Sequence, residues 1–397
     1  MQKASNDRLW TKEFIIMIII NTLISIGSFM LSTTFNPYLY DIGYTASLVG
    51  VIAGISSASS MVSRICSGGM ANRMNKRTLF ILFGILEAVS IVLLGYITNL
   101  FLLIVMRIVQ GFCYAVISTA GMTLVAGSLP EGRMNEGIGF YGLSQIIPIC
   151  LAPAAGLGLA AMVGFRLMLY CSGLSIILGA ALMLFIRAED GAPEAVKTRR
   201  FRWNELIAPE AVPPALCAMC FAVLNSMIMN YIVMYSNDAG IAGVAWFYMA
   251  YGIGTLTVRI FGGRFADRNR FGTNAAIAGA VGVVSMLLIW LGGSKATLIP
   301  AGLFFGLSYG LIIPVAQAGC LSRTPPERSG TATGTYFLGI DIGFVIGSTG
   351  GGILIDHIGY ARTYGWCIAS ILVGVVVAFV FVDKRFRKRE QPALGKL

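Results

Sequence analysis

Long apolar runs alternate with short polar or charged loops along the whole chain. A bilayer-crossing helix needs about 20 mostly apolar residues, and twelve runs meet that length: 14–37, 44–67, 79–98, 101–127, 137–161, 166–187, 212–236, 241–264, 273–293, 296–321, 330–355 and 361–383. The longest polar stretch, 188–211, carries both charge signs and falls midway. The pattern predicts an all-α membrane protein with twelve transmembrane helices in two six-helix bundles. These are 1–187 and 212–383, joined by a linker at 188–211 and followed by a basic tail at 384–397. Lys3, Arg8 and Lys12 precede the first run in the manner of a signal peptide. That run is longer than a signal core and eleven more follow, so it is expected to be retained.

Composition sharpens the reading. The 397 residues are 56% hydrophobic and 12% charged, with mean hydropathy +0.78. Soluble chains are nearer ~45–50% apolar and ~25% charged. The chain lacks the charged residues to cover a soluble globule, and a disordered chain or a disulfide scaffold is excluded on the same ground. Net charge is +11. The basic residues sit in loops rather than on one groove-like face, so they read as topology signals and not as a nucleic-acid surface. Of the 29 Lys and Arg, only Arg166, Lys295 and Arg362 fall on the opposite side, and Arg107 lies inside a run. That asymmetry predicts a multi-pass protein of the cell inner membrane with both termini cytoplasmic. The eight cysteines lie in or beside apolar runs. Cys217-x-x-Cys220 has no second pair at metal spacing, so it is read as packing.

The halves resemble each other 195 residues apart. Arg64-Ile65-x-x-Gly68-x-x-Ala71-x-Arg73 overlays Arg259-Ile260-x-x-Gly263-x-x-Ala266-x-Arg268. In that register Gly111 meets Gly306, Tyr114 meets Tyr309, Pro130 meets Pro325, and Arg133 meets Arg328. Tyr141 likewise meets Tyr336, and Gly156 meets Gly351. Two halves of equal sidedness imply pseudo-symmetry about an axis along the membrane normal, with substrate near the midplane.

Two loops then carry a resemblance. Gly68-Gly69-Met70-Ala71-Asn72-Arg73-Met74-Asn75-Lys76-Arg77 and Gly263-Arg264-Phe265-Ala266-Asp267-Arg268-Asn269-Arg270 resemble the signature loop of the major facilitator superfamily, G-x-L-A-D-R-x-G-R-R. Arg107-x-x-Gln110-Gly111 resembles the R-x-x-Q-G motif in the fourth span of drug:proton antiporters. Gly139, Pro153 and Gly156 match part of the antiporter motif of the fifth span, whereas Pro148, Ala152 and Leu157 depart from it. Phe337-Leu338-Gly339-Ile340-Asp341-Ile342-Gly343 is similar to a Gly/Asp pattern in a bacterial branch of exporters. The resemblance implies the major facilitator fold and the drug-exporter branch, with its multidrug and opine-metallophore exporters. It also implies a cytoplasmic gate of Arg64, Asn72, Arg73, Arg259, Asp267 and Arg268. Asn72 replaces the signature acid, which leaves Asp267 as the acid of that network.

Ionised groups at bilayer depth cost at least ~2.5–3.5 kcal/mol and default to functional candidates. Glu87, Arg107 and Asp341 stand inside spans and are the candidate proton-coupling set. Asp341 is roughly 16 Å into its span. Gly339, Gly343, Gly347 and Gly351 form a stripe suited to close helix packing, and Asp341 sits about 160° from Gly343. It is either a proton-exchanging acid facing a cavity or a helix-pinning hydrogen-bonded acid. Arg107 either tunes a nearby acid, binds an anionic substrate group, or snorkels. Glu87 falls in the third span, which the resemblance places in outer scaffolding, so a buried hydrogen-bonded acid is its alternative. Candidate cavity residues are Asn21, Gln110, Tyr114, Gln145, Asn225, Asn230, Tyr231, Tyr248, Tyr251, Tyr309, Gln317 and Tyr336. Each is also a candidate helix–helix contact. Pro148, Pro153 and Pro314 would interrupt helical hydrogen bonding.

Gly137-x-Gly139-x-x-Gly142 fits a dinucleotide fingerprint, but no strand precedes it. No phosphate-binding G-x-x-x-x-G-K-[ST] loop is present. The single His357 has no nucleophile partner, so no catalytic residues, metal site or cofactor are expected and the chain is not read as an enzyme. The expected function is a proton-coupled antiporter exporting a small drug-like or metallophore-like organic compound by alternating access. The alternative is a proton-coupled uptake symporter or a lipid transporter on the same fold. The expected partners are a small-molecule substrate, protons and the lipid bilayer, with the protein a monomer.

Overall fold

A computed structural model describes residues 9–71, 75–130, 133–186, 207–325 and 328–383. The described residues contain helices and turns with no strand. In chain order the α-helices are α1 (Lys12–Asp41), α2 (Ala46–Ala71), α3 (Lys76–Leu94), α4 (Leu100–Ser128), α5 (Met134–Leu143), α6 (Ile146–Val163) and α7 (Phe165–Leu182). Then follow α8 (Val212–Asp238), α9 (Ala245–Arg268), α10 (Phe271–Gly292), α11 (Lys295–Ser322), α12 (Ser329–Val345), α13 (Gly351–Ile358) and α14 (Tyr360–Val377). Eleven helical segments are long and apolar enough to cross a bilayer, with α5–α6 and α12–α13 each forming one span. The twelfth is α9, whose Trp246, Tyr248, Tyr251 and Arg259 dilute its apolar character.

The chain forms two compact units. The first holds the described residues of Met1–Phe35 and Ser59–Arg200, the second those of Asn36–Ala58 and Phe201–Leu397.

Within the first unit, polar side chains on one helix reach backbone carbonyls on the next. Ser59, Ser60 and Ser63 of α2 donate to the carbonyls of Ile108, Gly111 and Phe112 on α4, at 2.7, 2.8 and 2.8 Å. Ser172 and Ser175 of α7 donate to Gly27 and Leu23 of α1. Small hydroxyls of this kind join helices where the hydrophobic effect cannot, because lipid is as apolar as the helix surface. Asn75, which replaces a signature-loop glycine, is the N-cap of α3 and accepts from the Arg77 amide at 2.9 Å.

The fifth span breaks between α5 and α6. Pro148 sits in the first turn of α6, where a missing N–H is tolerated. The Ser144 carbonyl that Pro148 cannot serve accepts from Thr22 Oγ1 at 3.3 Å, and Ser144 Oγ accepts from Asn21 Nδ2 at 2.6 Å. The interruption therefore lies at 144–145, just before Pro148, and α1 satisfies the groups it exposes.

In the second unit the close contacts rest on glycine. The stripe on α12 packs on α8: a Cβ at Gly339 would lie 2.6 Å from the Ala215 carbonyl oxygen and one at Gly343 2.5 Å from that of Met219. A π-helical turn at Ile346–Gly350 separates α12 from α13. Helices α9 and α11 touch backbone to backbone, with Gly254 against Leu303 and Gly306, and Gly306 against Tyr251 and Thr255.

The two units repeat each other's contacts in the register read from sequence. Ser60 donates to Gly111 O at 2.8 Å, and its counterpart Thr255 donates to Gly306 O at 3.3 Å. Gly164 and Gly359, also counterparts, take φ of 86° and 81° at matching turns. Their amides bond to the counterpart carbonyls of Ala160 and Ile355. Positive φ suits glycine because it has no Cβ.

Candidate functional site

The first unit holds two ionisable groups inside spans, both buried. Glu87 of α3 is fully buried, and Oε1 accepts from Ser28 of α1 at 3.0 Å. Its Oε2 has no hydrogen-bond partner among the described residues. Arg107 of α4 is 7% exposed. Its Nη1 donates to Gln110 Oε1, one turn on, at 2.8 Å, and the guanidinium lies 5.1 Å from the Phe35 ring centroid. Among the described residues Arg107 has no carboxylate partner, and its Nε is buried without an acceptor. A cation over an aromatic face with one neutral acceptor is only partly compensated, so it retains a field that an anionic group could answer.

Asn21 and Gln145 fall at the break in the fifth span, where Asn21 is committed to Ser144 and Gln145 is half-buried at the start of α6. Tyr114 lies within electrostatic reach of Tyr141. Arg64 is half-buried on α2, and Asn72 and Arg73 lie outside the described residues.

The second unit holds a polar-aromatic cluster. Asn225 of α8 accepts from the Tyr251 hydroxyl of α9 at 3.2 Å, and its amide also reaches the Tyr309 hydroxyl of α11. Phe305 stacks on Tyr309 with centroids 5.7 Å apart and meets Tyr251 at 5.1 Å. Tyr336 of α12 donates to the Ile313 carbonyl at 3.2 Å and sits within electrostatic reach of Tyr309. That pair repeats Tyr141 with Tyr114 in the first unit. Arg259 of α9 is exposed, lies within electrostatic reach of both Tyr309 and Tyr336, and has no ion pair among the described residues. The cluster thus offers ring faces, one amide and one guanidinium from α8, α9, α11 and α12.

Other candidates are dispersed. Asn230 accepts from Asn36 Nδ2 at 2.7 Å and donates to the Ser226 carbonyl. The Tyr231 hydroxyl donates to the Ser348 carbonyl in the π turn. Tyr248 is buried with no partner for its hydroxyl among the described residues, and Gln317 is half-buried on α11. Asp341 is 7% exposed in α12, on the helix whose glycines pack against α8. Asp267 and Arg268 are exposed at the end of α9, without an ion pair to each other or to Arg259 among the described residues. His357 is exposed, its Nδ1 bonded to the Ile353 carbonyl one turn back.

Three participants escape sequence reasoning. Phe35 gains its role only by lying under Arg107. Asn36 reads as the end of the first run. Asp356 reads as an ordinary acid at a helix end, yet its carboxylate accepts from the amides of Ala46 at 3.1 Å and Ser47 at 2.8 Å, and from the Ser47 hydroxyl. It therefore caps the first turn of α2 from 309 residues away. No local sequence signal could reveal that.

Comparison with known proteins adds the following. The family model described as Major Facilitator Superfamily matches residues 17–348 and 277–396. The staphylopine export protein of Staphylococcus aureus (strain Mu50) is 18% identical over 353 residues, covering 86% of this chain and 89% of that protein. The quinolone resistance protein NorA of Staphylococcus aureus (strain MRSA252) is 24% identical over 387 residues, with coverage of 93% and 96%. Among solved structures, a POT family transporter in complex with a thioalcohol-conjugated peptide superposes with TM-score 0.80 at 13% identity, covering 94% of this chain and 96% of that one.

Proposed function

The chain belongs to the major facilitator superfamily, a family of multi-pass membrane transporters for small molecules and not of enzymes, and within it we propose that this protein is a proton-coupled antiporter exporting a small organic compound. The observation that carries the reading is Asp341, a buried acid held in mid-span on a helix anchored to α8 through glycine. Export is supported by the relatedness to a staphylopine exporter and a quinolone resistance protein. In this reading the protein is a monomer of the cell inner membrane, with both termini in the cytoplasm.

Asp341 takes up a proton from the outside and releases it to the cytoplasm, and its change of charge alters the cost of exposing α12 to each side. An acid at bilayer depth is tolerated when neutral and costly when charged, so proton occupancy biases which state the helix adopts. Arg107 sets the field in the other half of the chain, where its uncompensated cation disfavours a second positive charge. Asn225, Tyr251, Tyr309 and Tyr336 bind the compound through ring faces and hydroxyls, a surface suited to mixed polar-aromatic ligands. Asp267 and Arg268, with Arg64 and Arg259, work at the cytoplasmic gate.

The test uses everted membrane vesicles acidified by respiration. Adding a transported compound should collapse part of the pH gradient, and Asp341→Asn should abolish that collapse while leaving the protein folded. Full proton-coupled transport by the Asn variant removes Asp341 from the mechanism. Accumulation of the compound by intact cells, abolished by an uncoupler, overturns export in favour of uptake.

A further inference from the structure

The second unit contains a cavity of about 1,110 Å³, of whose lining the transport reading uses only the gate residues Arg259 and Asp267. It opens where α9 and α11 part. Above it the two helices are in backbone contact through Gly254, Gly306 and Gly310. Below Gly310, residues Val258, Gly262 and Ala266 of α9 face Pro314 and Ala318 of α11 across open space. The end of α9, the start of α10 and Arg323 close the cavity at the end of the bundle that carries the basic loops.

Its chemistry is divided. Three guanidinium groups, Arg259, Arg270 and Arg323, line it against two carboxylates, Asp267 and Asp383. Asp383 is engaged by the Gly272 amide at the start of α10, at 3.2 Å, and Arg323 lies over the Phe271 ring and donates to Gly319 O. Arg259 and Arg270 have no ion pair among the described residues. Asn274 also lines the cavity and is 2% exposed. Its Nδ2 donates to Ala266 O at 2.9 Å, while its Oδ1 is buried with no donor among the described residues. A buried acceptor left unpaired is costly, and it calls for a hydroxyl or N–H from a ligand. The remaining walls are apolar, and Ile260, Phe261 and Phe265 beside them on α9 are exposed, Phe261 to 74%.

We propose that this cavity binds the headgroup of an anionic glycerophospholipid, with the phosphodiester between Arg259 and Arg270, a headgroup hydroxyl donating to Asn274 Oδ1, and the acyl chains along the exposed apolar row of α9. A bare phosphate would satisfy the guanidinium groups and gain nothing from the apolar walls or the exposed row. A basic pocket between membrane helices at the basic-loop end is a recognised setting for acidic lipid headgroups. The proposal does not depend on the direction or coupling of transport.

The full chain, purified and delipidated in detergent, should be titrated with phosphatidylglycerol, phosphatidylcholine and free glycerol phosphate, with binding read by native mass spectrometry. Phosphatidylglycerol should bind at least about tenfold more tightly than phosphatidylcholine, since each basic side chain near a headgroup contributes roughly a fivefold factor and two act here. Glycerol phosphate should not compete at equal concentration. Exchanging Arg259 and Arg270 together for Gln should erase the preference, and exchanging both for Lys should keep most of it. Both positions are exposed, so neither exchange disturbs a packed core. Equal binding of the two lipids, or a preference that survives the Gln exchange, overturns the proposal. Full competition by glycerol phosphate also overturns it, by making the site one for soluble anions.

Discussion

Replacing Asp356 with Ala should loosen the first turn of α2 and leave the rest of the chain unchanged. The first amides of a helix have no intrahelical acceptor. In α2 the Leu48 amide reaches Thr45 Oγ1 at 3.3 Å, but those of Ala46 and Ser47 depend on Asp356, at 3.1 and 2.8 Å. Loss of an N-cap side chain costs ~0.5–2 kcal/mol, and the charge on a helix N-terminus adds ~0.3–1 kcal/mol. Asp356 is exposed, so solvent screens part of the second contribution. A net loss of about 1–2 kcal/mol is expected, and at ~1.4 kcal/mol per decade this is about a 5- to 30-fold rise in local opening. Amide hydrogen exchange by mass spectrometry reads such opening directly. Peptides covering 46–50 should lose protection by that factor, while peptides of α3 and α10 stay unchanged. Asp356→Asn keeps an acceptor without the charge and should fall between the two. Protection at 46–50 within about twofold of the parent would refute the reasoning, as would an equal loss everywhere.

Other expectations follow from single contacts. Gly306→Ala places a methyl inside contact distance of the Tyr251 carbonyl oxygen and 3.0 Å from the Thr255 nitrogen. It should cost about 1–3 kcal/mol and lower the unfolding temperature in detergent. Gly334→Ala meets nothing within 4 Å in a helix interior and should be neutral or stabilising by up to about 1 kcal/mol. Glu87→Gln keeps an oxygen to accept from Ser28 and should match the parent in thermal stability, whereas Glu87→Ala strands that hydroxyl and should cost about 1–3 kcal/mol. Equal melting of the Gln and Ala variants would contradict the contact. Arg107→Met preserves the stem but removes the cation over Phe35. In the everted-vesicle assay it should shift the pH at which transport is half-maximal, and an unchanged pH profile would separate Arg107 from coupling.

What could be read in advance was periodic or duplicated. Hydropathy located eleven apolar spans because a bilayer helix must present apolar residues over a fixed length, while the eighth expected run is a helix too polar to meet that measure. The glycine stripe of α12 was legible because four-residue spacing fixes one helix face. Boundaries were less legible. The eighth span, expected at 241–264, is the helix Ala245–Arg268, because left-handed Gly240 and Gly243 delay its start. The break in the fifth span precedes Pro148 rather than falling on it, because a first turn tolerates proline and α1 supplies the donors. The π turn at Ile346–Gly350 had no sequence signal; its Ser348 carbonyl accepts from Tyr231, a tertiary contact. Asp356 on α2 and Asn36 on Asn230 are likewise pairings between distant positions, which a single sequence does not encode locally.

The duplication also isolates where chemistry was added. The scaffold contacts are shared: Ser60 to Gly111 matches Thr255 to Gly306, and Gly164 matches Gly359. The candidate proton-coupling groups Glu87, Arg107 and Asp341 are not. In the same register the counterpart of Arg107 is Gly302, where a Cβ would collide with the Phe247 carbonyl. The counterpart of Glu87 is Gly282, where a Cβ would lie 2.8 Å from Ser308 Oγ. The counterpart of Asp341 is Ile146, buried in the first turn of α6. Neither glycine site has room for its counterpart's side chain, so these charges could not have been shared by both halves without separating α9 from α11 or α10 from α11. The halves keep one architecture, but the Arg107 cation lies only in the first and the mid-span acid at Asp341 only in the second.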